Sequence, residues 1–80
     1  MESLDERITE NLRREIETSG KSKTEIARAL GVTRSTISQY CSGNTQPTLA
    51  NLCRLCAVLG CVPGDILPVP EDPQQEKRLP

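Results

Sequence analysis

The stretch Lys23-Thr24-Glu25-Ile26-Ala27-Arg28-Ala29-Leu30-Gly31-Val32-Thr33-Arg34-Ser35-Thr36-Ile37-Ser38-Gln39-Tyr40 decides the fold. Ser22 and Glu25 have the spacing of a capping box, in which a hydroxyl and a carboxylate each reach a free amide at a helix start. Ile26, Ala27 and Leu30 then supply a buried stripe, which predicts a helix over 23–30. Gly31-Val32 interrupts it, and Thr33 caps a further helix over 34–42 that buries Ile37 and Tyr40 and stops at Ser42-Gly43. Ala27 has to be small because the next helix crosses there, Gly31 supplies the turn conformation, and Ile37 locks one helix against the other.

Upstream, Leu4, Ile8, Leu12 and Ile16 recur every four residues, which predicts an amphipathic helix over 4–17 ended by Ser19-Gly20. Downstream, Gly43 to Pro47 is a polar loop, and Thr48 caps a helix with apolar Leu52, Leu55, Cys56 and Leu59, closed by Gly60. Pro63 fits the first position of a short fifth helix, after which Ile66 and Leu67 return to the core. From Pro68 onward, four of the six prolines alternate with Glu, Asp and Gln, a composition expected to be disordered. The expected organisation is an all-α, compact five-helix bundle over 1–67 with a Pro-rich tail over 68–80.

Eighty residues make one small domain, since chains this short bury only roughly 60% of their unfolded surface. Tyr40 is the sole aromatic, so the core must come from Leu, Ile, Val, Ala and Cys. The net charge of -1 argues against a generic polyanion binder, but the charge is segregated. Residues 1–17 carry Glu2, Asp5, Glu6, Glu10, Glu15 and Glu17 against Arg7, Arg13 and Arg14. Residues 18–54 carry Lys21, Lys23, Arg28, Arg34 and Arg54 against Glu25 alone, and the remainder is acidic again. No apolar run of about 18 residues could span a membrane, and the opening MESLDERITE is acidic where an export signal is basic and then apolar. A cytoplasmic location is expected. Histidine is absent and no catalytic constellation is present, so neither enzymatic activity, a cofactor nor a bound metal is expected.

Two short helices about a glycine turn form a helix-turn-helix pattern. Together with Ser-Lys-Thr-Glu-Ile-Ala (22–27), Leu-Gly-Val-Thr (30–33), Thr-Ile-Ser-Gln-Tyr (36–40), Ser42-Gly43, Pro47 and Leu-Cys-Ala-Val-Leu-Gly (55–60), it resembles the phage repressor and Cro-like family of transcriptional regulators, with the lambda-repressor-like DNA-binding fold. The resemblance covers roughly residues 5–67. It implies sequence-specific binding of double-stranded DNA with the third helix in the major groove. Arg34, Ser35, Ser38 and Gln39 would then face base edges. Lys23, with Thr24 beside it, would contact phosphate, and the loop from Gly43 to Gln46 would grip the backbone as well through Asn44, Thr45 and Gln46, the alternative being that these three simply serve the turn. The resemblance also implies a homodimer paired through carboxy-terminal helices, with a seam at Leu59, Val62, Pro63, Ile66 and Leu67.

Helical geometry agrees on the reading face. At about 100° per residue, Arg34, Ser35, Ser38 and Gln39 fall within an arc of roughly 140°, while Ile37 and Tyr40 point the other way. Arg can donate two bonds to guanine, Gln can pair with adenine, and Ser adapts to either; the alternative is a solvated polar face. Lys21 and Lys23 sit at a helix start, where the macrodipole disfavours cations unless an anion such as phosphate joins them; the alternative is two solvated lysines. Departures from the family are also visible. Cys41 and Ile16 stand where many members pair a glutamate with an arginine, so an apolar contact is expected instead. Lys21 occupies a commonly apolar position, and Val62 stands where a polar cap is usual.

Cys53 and Cys56 have the spacing of a zinc or redox pair, and Cys41 and Cys61 bring the thiols to four. Yet Cys56 lies on the apolar stripe and a second paired knuckle is missing, so core packing is the expectation, with metal or redox sensing and a disulfide as alternatives. Tyr40 reads as the core aromatic rather than a stacking platform. Two rival functions remain at this level: an antitoxin-like module that neutralises a protein partner, and a thiol- or metal-responsive regulator.

Overall fold

The computed structural model describes residues 3–69, and the expected tail lies outside the described residues apart from Pro68 and Val69. Four α-helices follow one another: α1 (Leu4–Thr18), α2 (Lys23–Leu30), α3 (Arg34–Ser42) and α4 (Leu49–Leu59), then a single 3-10 turn at Pro63–Asp65.

Local chemistry sets the helix ends. Ser22 and Glu25 make the expected capping box, with Glu25 N donating to Ser22 Oγ at 3.1 Å and Ser22 N to the Glu25 carboxylate at 3.0 Å. Ser3 and Glu6 do the same for α1, an equivalent pattern that the sequence also carries. Thr33 and Thr48 accept from the amides of Thr36 and Asn51, both at 3.1 Å. Gly31, at φ 80°, lets the chain leave α2 in the left-handed region, with the amides of Gly31 and Val32 both returning to the Ala27 carbonyl.

The expected fifth helix is only the 3-10 turn. Gly64 weakens helix there, and Pro68 disfavours helical backbone at Leu67, so there is no room for a second turn. Val62 lacks a capping side chain, and the Asp65 carboxylate accepts its amide instead at 3.1 Å. Ile66 enters the core with no exposed surface, while Leu67, expected beside it, stays on the surface. Asn11 Nδ2 on α1 donates to the Ile66 carbonyl at 3.0 Å and holds this segment in place.

α2 packs on α3 and α4, and α1 packs on α3. The buried set is Leu12 and Ile16 from α1, Ile26, Ala27 and Leu30 from α2, Ile37, Tyr40 and Cys41 from α3, and Leu52, Leu55 and Cys56 from α4, with Ile66. Leu4, the first apolar residue of the α1 stripe, remains exposed at the helix start. Ile16 and Cys41 are both in the core, so apolar burial occupies the positions of the family's ion pair. Ile37→Ala removes a fully buried side chain at the α2–α3 junction and is expected to cost about 2 to 5 kcal/mol, read as a lower urea midpoint.

Candidate nucleic-acid interface

Thr33 starts α3, and Ile37, Tyr40 and Cys41 anchor it, so its opposite side must face outward. Arg34, Ser35 and Gln39 are exposed and Ser38 is half-buried, which brings the four expected base-facing residues onto the solvent side of one helix. Thr36 is committed differently, with its hydroxyl 3.0 Å from that of Thr33.

The turn at Gly31 joins the carboxy end of α2 to α3, while the amino end of α2 carries the expected phosphate-binding residues. Lys21 and Thr24 are exposed and Lys23 is half-buried. Helix geometry leaves the amides of Lys23 and Thr24 without intrahelical acceptors, because the capping box engages those of Ser22 and Glu25. These amides and the helix dipole suit an anion. The bonds from Ser22, backbone first, hold the Glu25 carboxyl below its ordinary range, and the charge of Lys21 lowers it further. Glu25 therefore stays ionised and offsets part of the unfavourable placement of lysine at this helix start.

In the loop after α3, the amides of Gly43, Asn44 and Thr45 all donate to the Gln39 carbonyl, at 3.1, 3.1 and 3.5 Å. Those amides are committed inward, so the donors the loop can offer a phosphate are the exposed side chains of Asn44 and Thr45. Gln46 is tied to α1 instead, its Nε2 donating to Asp5 Oδ1 at 3.3 Å, a link the sequence gives no sign of.

The expected seam residues separate. Val62 is 60% exposed, Pro63 and Leu67 are exposed and Leu59 is half-buried, but Ile66 is enclosed by its own chain and is unable to reach another protomer. α4 adds an outer surface that the apolar periodicity did not single out: Leu49, 77% exposed, with Ala50, Cys53 and Ala57, bordered by the exposed Arg54.

All four thiols are free; Cys41 and Cys56 are buried, Cys61 is half-buried and Cys53 is exposed. Cys53 and Cys56 thus face different surroundings despite their paired spacing. Among the described residues no group of three His, Cys, Asp or Glu is placed to hold a metal ion. Cys61 closes the end of α4, its amide donating to the Cys56 carbonyl at 3.0 Å. Burial first, and then the neighbouring Cys56 thiol, push the Cys61 thiol up to about 11. Burial also raises Cys56 and Cys41, against the opposing charge of Lys23 in the case of Cys41.

This arrangement meets its counterpart in known proteins. A helix-turn-helix family model of the Cro/C1 type matches residues 12–67, and the chain belongs to that family. It is a DNA-binding transcriptional regulator. Among solved structures it is similar to one described as a hypothetical transcription factor, NHTF, from Neisseria: the two are 27% identical with a TM-score of 0.71, over 98% of this chain and 86% of the other. No curated protein matches it. Among the described residues no helix is long and apolar enough to cross a membrane.

Iodoacetamide at neutral pH is expected to label Cys53 first and Cys41 and Cys56 last, with Cys61 slow because its thiol stays protonated. Raised thiols favour the folded state while protonated in it. Their stabilisation is therefore complete below the unfolded thiol value of about 8.5 and is lost as pH climbs toward about 11. Unfolding free energy measured from pH 8 to 11 should fall accordingly, and less steeply in Cys61→Ser.

Proposed function

We propose that this regulator reads a specific DNA duplex with α3 in the major groove, as a two-fold homodimer in the cytoplasm and without catalytic activity. The observation that carries the reading is the division of α3. Arg34, Ser35 and Gln39 lie outward with Ser38 at their margin, while Ile37, Tyr40 and Cys41 seat the helix in the core. Lys23, Lys21 and Thr24 hold one stretch of phosphate backbone and Asn44 and Thr45 another, which sets the register in which the four α3 side chains meet base edges. The family membership and the likeness to a structure titled a transcription factor support this role.

One module of this size buries little surface on DNA, and pairing two supplies the rest of the affinity. Val62, Pro63 and Leu67, with Leu59 at the margin, form the seam; Ile66 is removed from it because it is spent inside the monomer. Half-sites about one helical turn, roughly 34 Å, apart follow from the two-fold axis. Selection of bound duplexes from a random pool at physiological salt should therefore recover a palindrome. Sedimentation should show two chains on it, and a single chain on the best duplex would end the dimer model.

Arg34→Ala and Gln39→Ala are expected to weaken the selected duplex by about 1 to 3 kcal/mol per contact and to relax preference at one base position each. Lys23→Ala should lower affinity for all duplexes alike and flatten the dependence of log affinity on log salt, since a phosphate contact carries no sequence information. A preference left unchanged by both α3 variants but altered by Lys23→Ala would rule out α3 as the reader.

A further inference from the structure

Beside the surface assigned to DNA, the first turns of α1 and the loop between α3 and α4 enclose a groove of about 500 Å3. Asp5, Glu6, Thr9, Glu10 and Arg13 line one side and residues 42–46 the other. Two contacts cross it. Gln46 Nε2 donates to Asp5 Oδ1 at 3.3 Å, joining side chains 41 positions apart. Gly43 passes so close to Thr9 that a Cβ at that position would lie 3.2 Å from the threonine hydroxyl oxygen. Asp5 and Thr9 are one turn apart on the same face of α1, so that face supports the loop both where it leaves α3 and where it approaches Pro47.

We propose that Asp5 is a positioning residue for DNA binding: through Gln46 it holds the loop bearing Asn44 and Thr45 against α1, without itself touching DNA. The proposal rests on the phosphate role given to that loop above. A carboxylate is an unexpected neighbour for a phosphate-binding loop, because its charge opposes the approach of the DNA backbone. What the loop uses is the acceptor oxygen. Charge and acceptor therefore act in opposite directions within one side chain, and substitution can separate them: Asn keeps Oδ1 and loses the charge, whereas Ala loses both.

The test measures the affinity of the full chain for a duplex selected from a random pool, across a salt series. Asp5→Asn should bind at least as tightly as the unaltered protein. Asp5→Ala should bind about three-fold more weakly than Asp5→Asn, the scale of one exposed hydrogen bond, with a ratio that salt leaves unchanged. Both variants should be fully folded at the assay temperature by far-ultraviolet circular dichroism and thermal melting, which separates a binding loss from a folding loss. In a Gln46→Ala background the two Asp5 variants should bind alike. Equal affinity of Asp5→Ala and Asp5→Asn with Gln46 in place would overturn the positioning role. If instead Asn44→Ala and Thr45→Ala leave both affinity and salt slope unchanged, the phosphate role of the loop falls, and Asp5 has nothing to position.

Discussion

The seating of Ile37 is the contact on which the rest depends. It has no exposed surface, and it shares one core with Ile26, Ala27 and Leu30 of α2, the helix on which α3 packs. A nine-residue helix does not hold itself together in water; packing has to stabilise it. Because Ile37, Tyr40 and Cys41 fix the inward side, the orientation of Arg34, Ser35 and Gln39 is a by-product of core formation. Core packing and the polar side chains proposed to read bases thus occupy opposite faces of one short helix, and the residues of one leave those of the other free to vary.

Much of this fold was legible because its boundaries are written in short-range chemistry. Ser22 with Glu25, Thr33, Thr48 and the glycines at 31, 43 and 60 each act within a few residues, and the expected spans for α2 and α3 coincide with the observed ones. Local patterns mislead where the outcome depends on competition or distance. Pro63 correctly signalled a helical start, but Gly64 and Pro68 together limit it to one turn. Ile66 suited both the core and a dimer seam by residue type, and the bond from Asn11, 55 positions away, accompanies its inward placement. The contact between Asp5 and Gln46 involves two exposed polar residues with no periodicity to betray them. Leu49, Cys53 and Ala57 lie away from the buried stripe of α4, and the periodicity that marks that stripe says little about the other side of the helix.

The cysteines illustrate how spacing can mislead when surroundings differ. Residues three apart on a helix share a general direction, yet Cys53 is exposed and Cys56 is packed. The more intimate pair is Cys56 with Cys61, brought together by the way α4 ends: the amide of residue 61 returns to the carbonyl of residue 56, a geometry that commonly places two apolar side chains in contact. Here two thiols fill that place. Burial holds them protonated, which suits a packing role and disfavours the thiolate chemistry their number first suggests.

The convergence of three loop amides on the Gln39 carbonyl has a thermodynamic consequence. It fastens the segment that follows α3 to the last turn of the helix whose outer side carries Arg34, Ser35 and Gln39, so loop and helix end share one acceptor oxygen. A flexible segment would have to be immobilised when the duplex arrives, and that loss of freedom would weaken association. Here much of the ordering takes place as the chain folds, before any partner is met. The phosphate and base contacts proposed for the two would then be presented as one preassembled surface, and a shift of α3 within the core would displace both together.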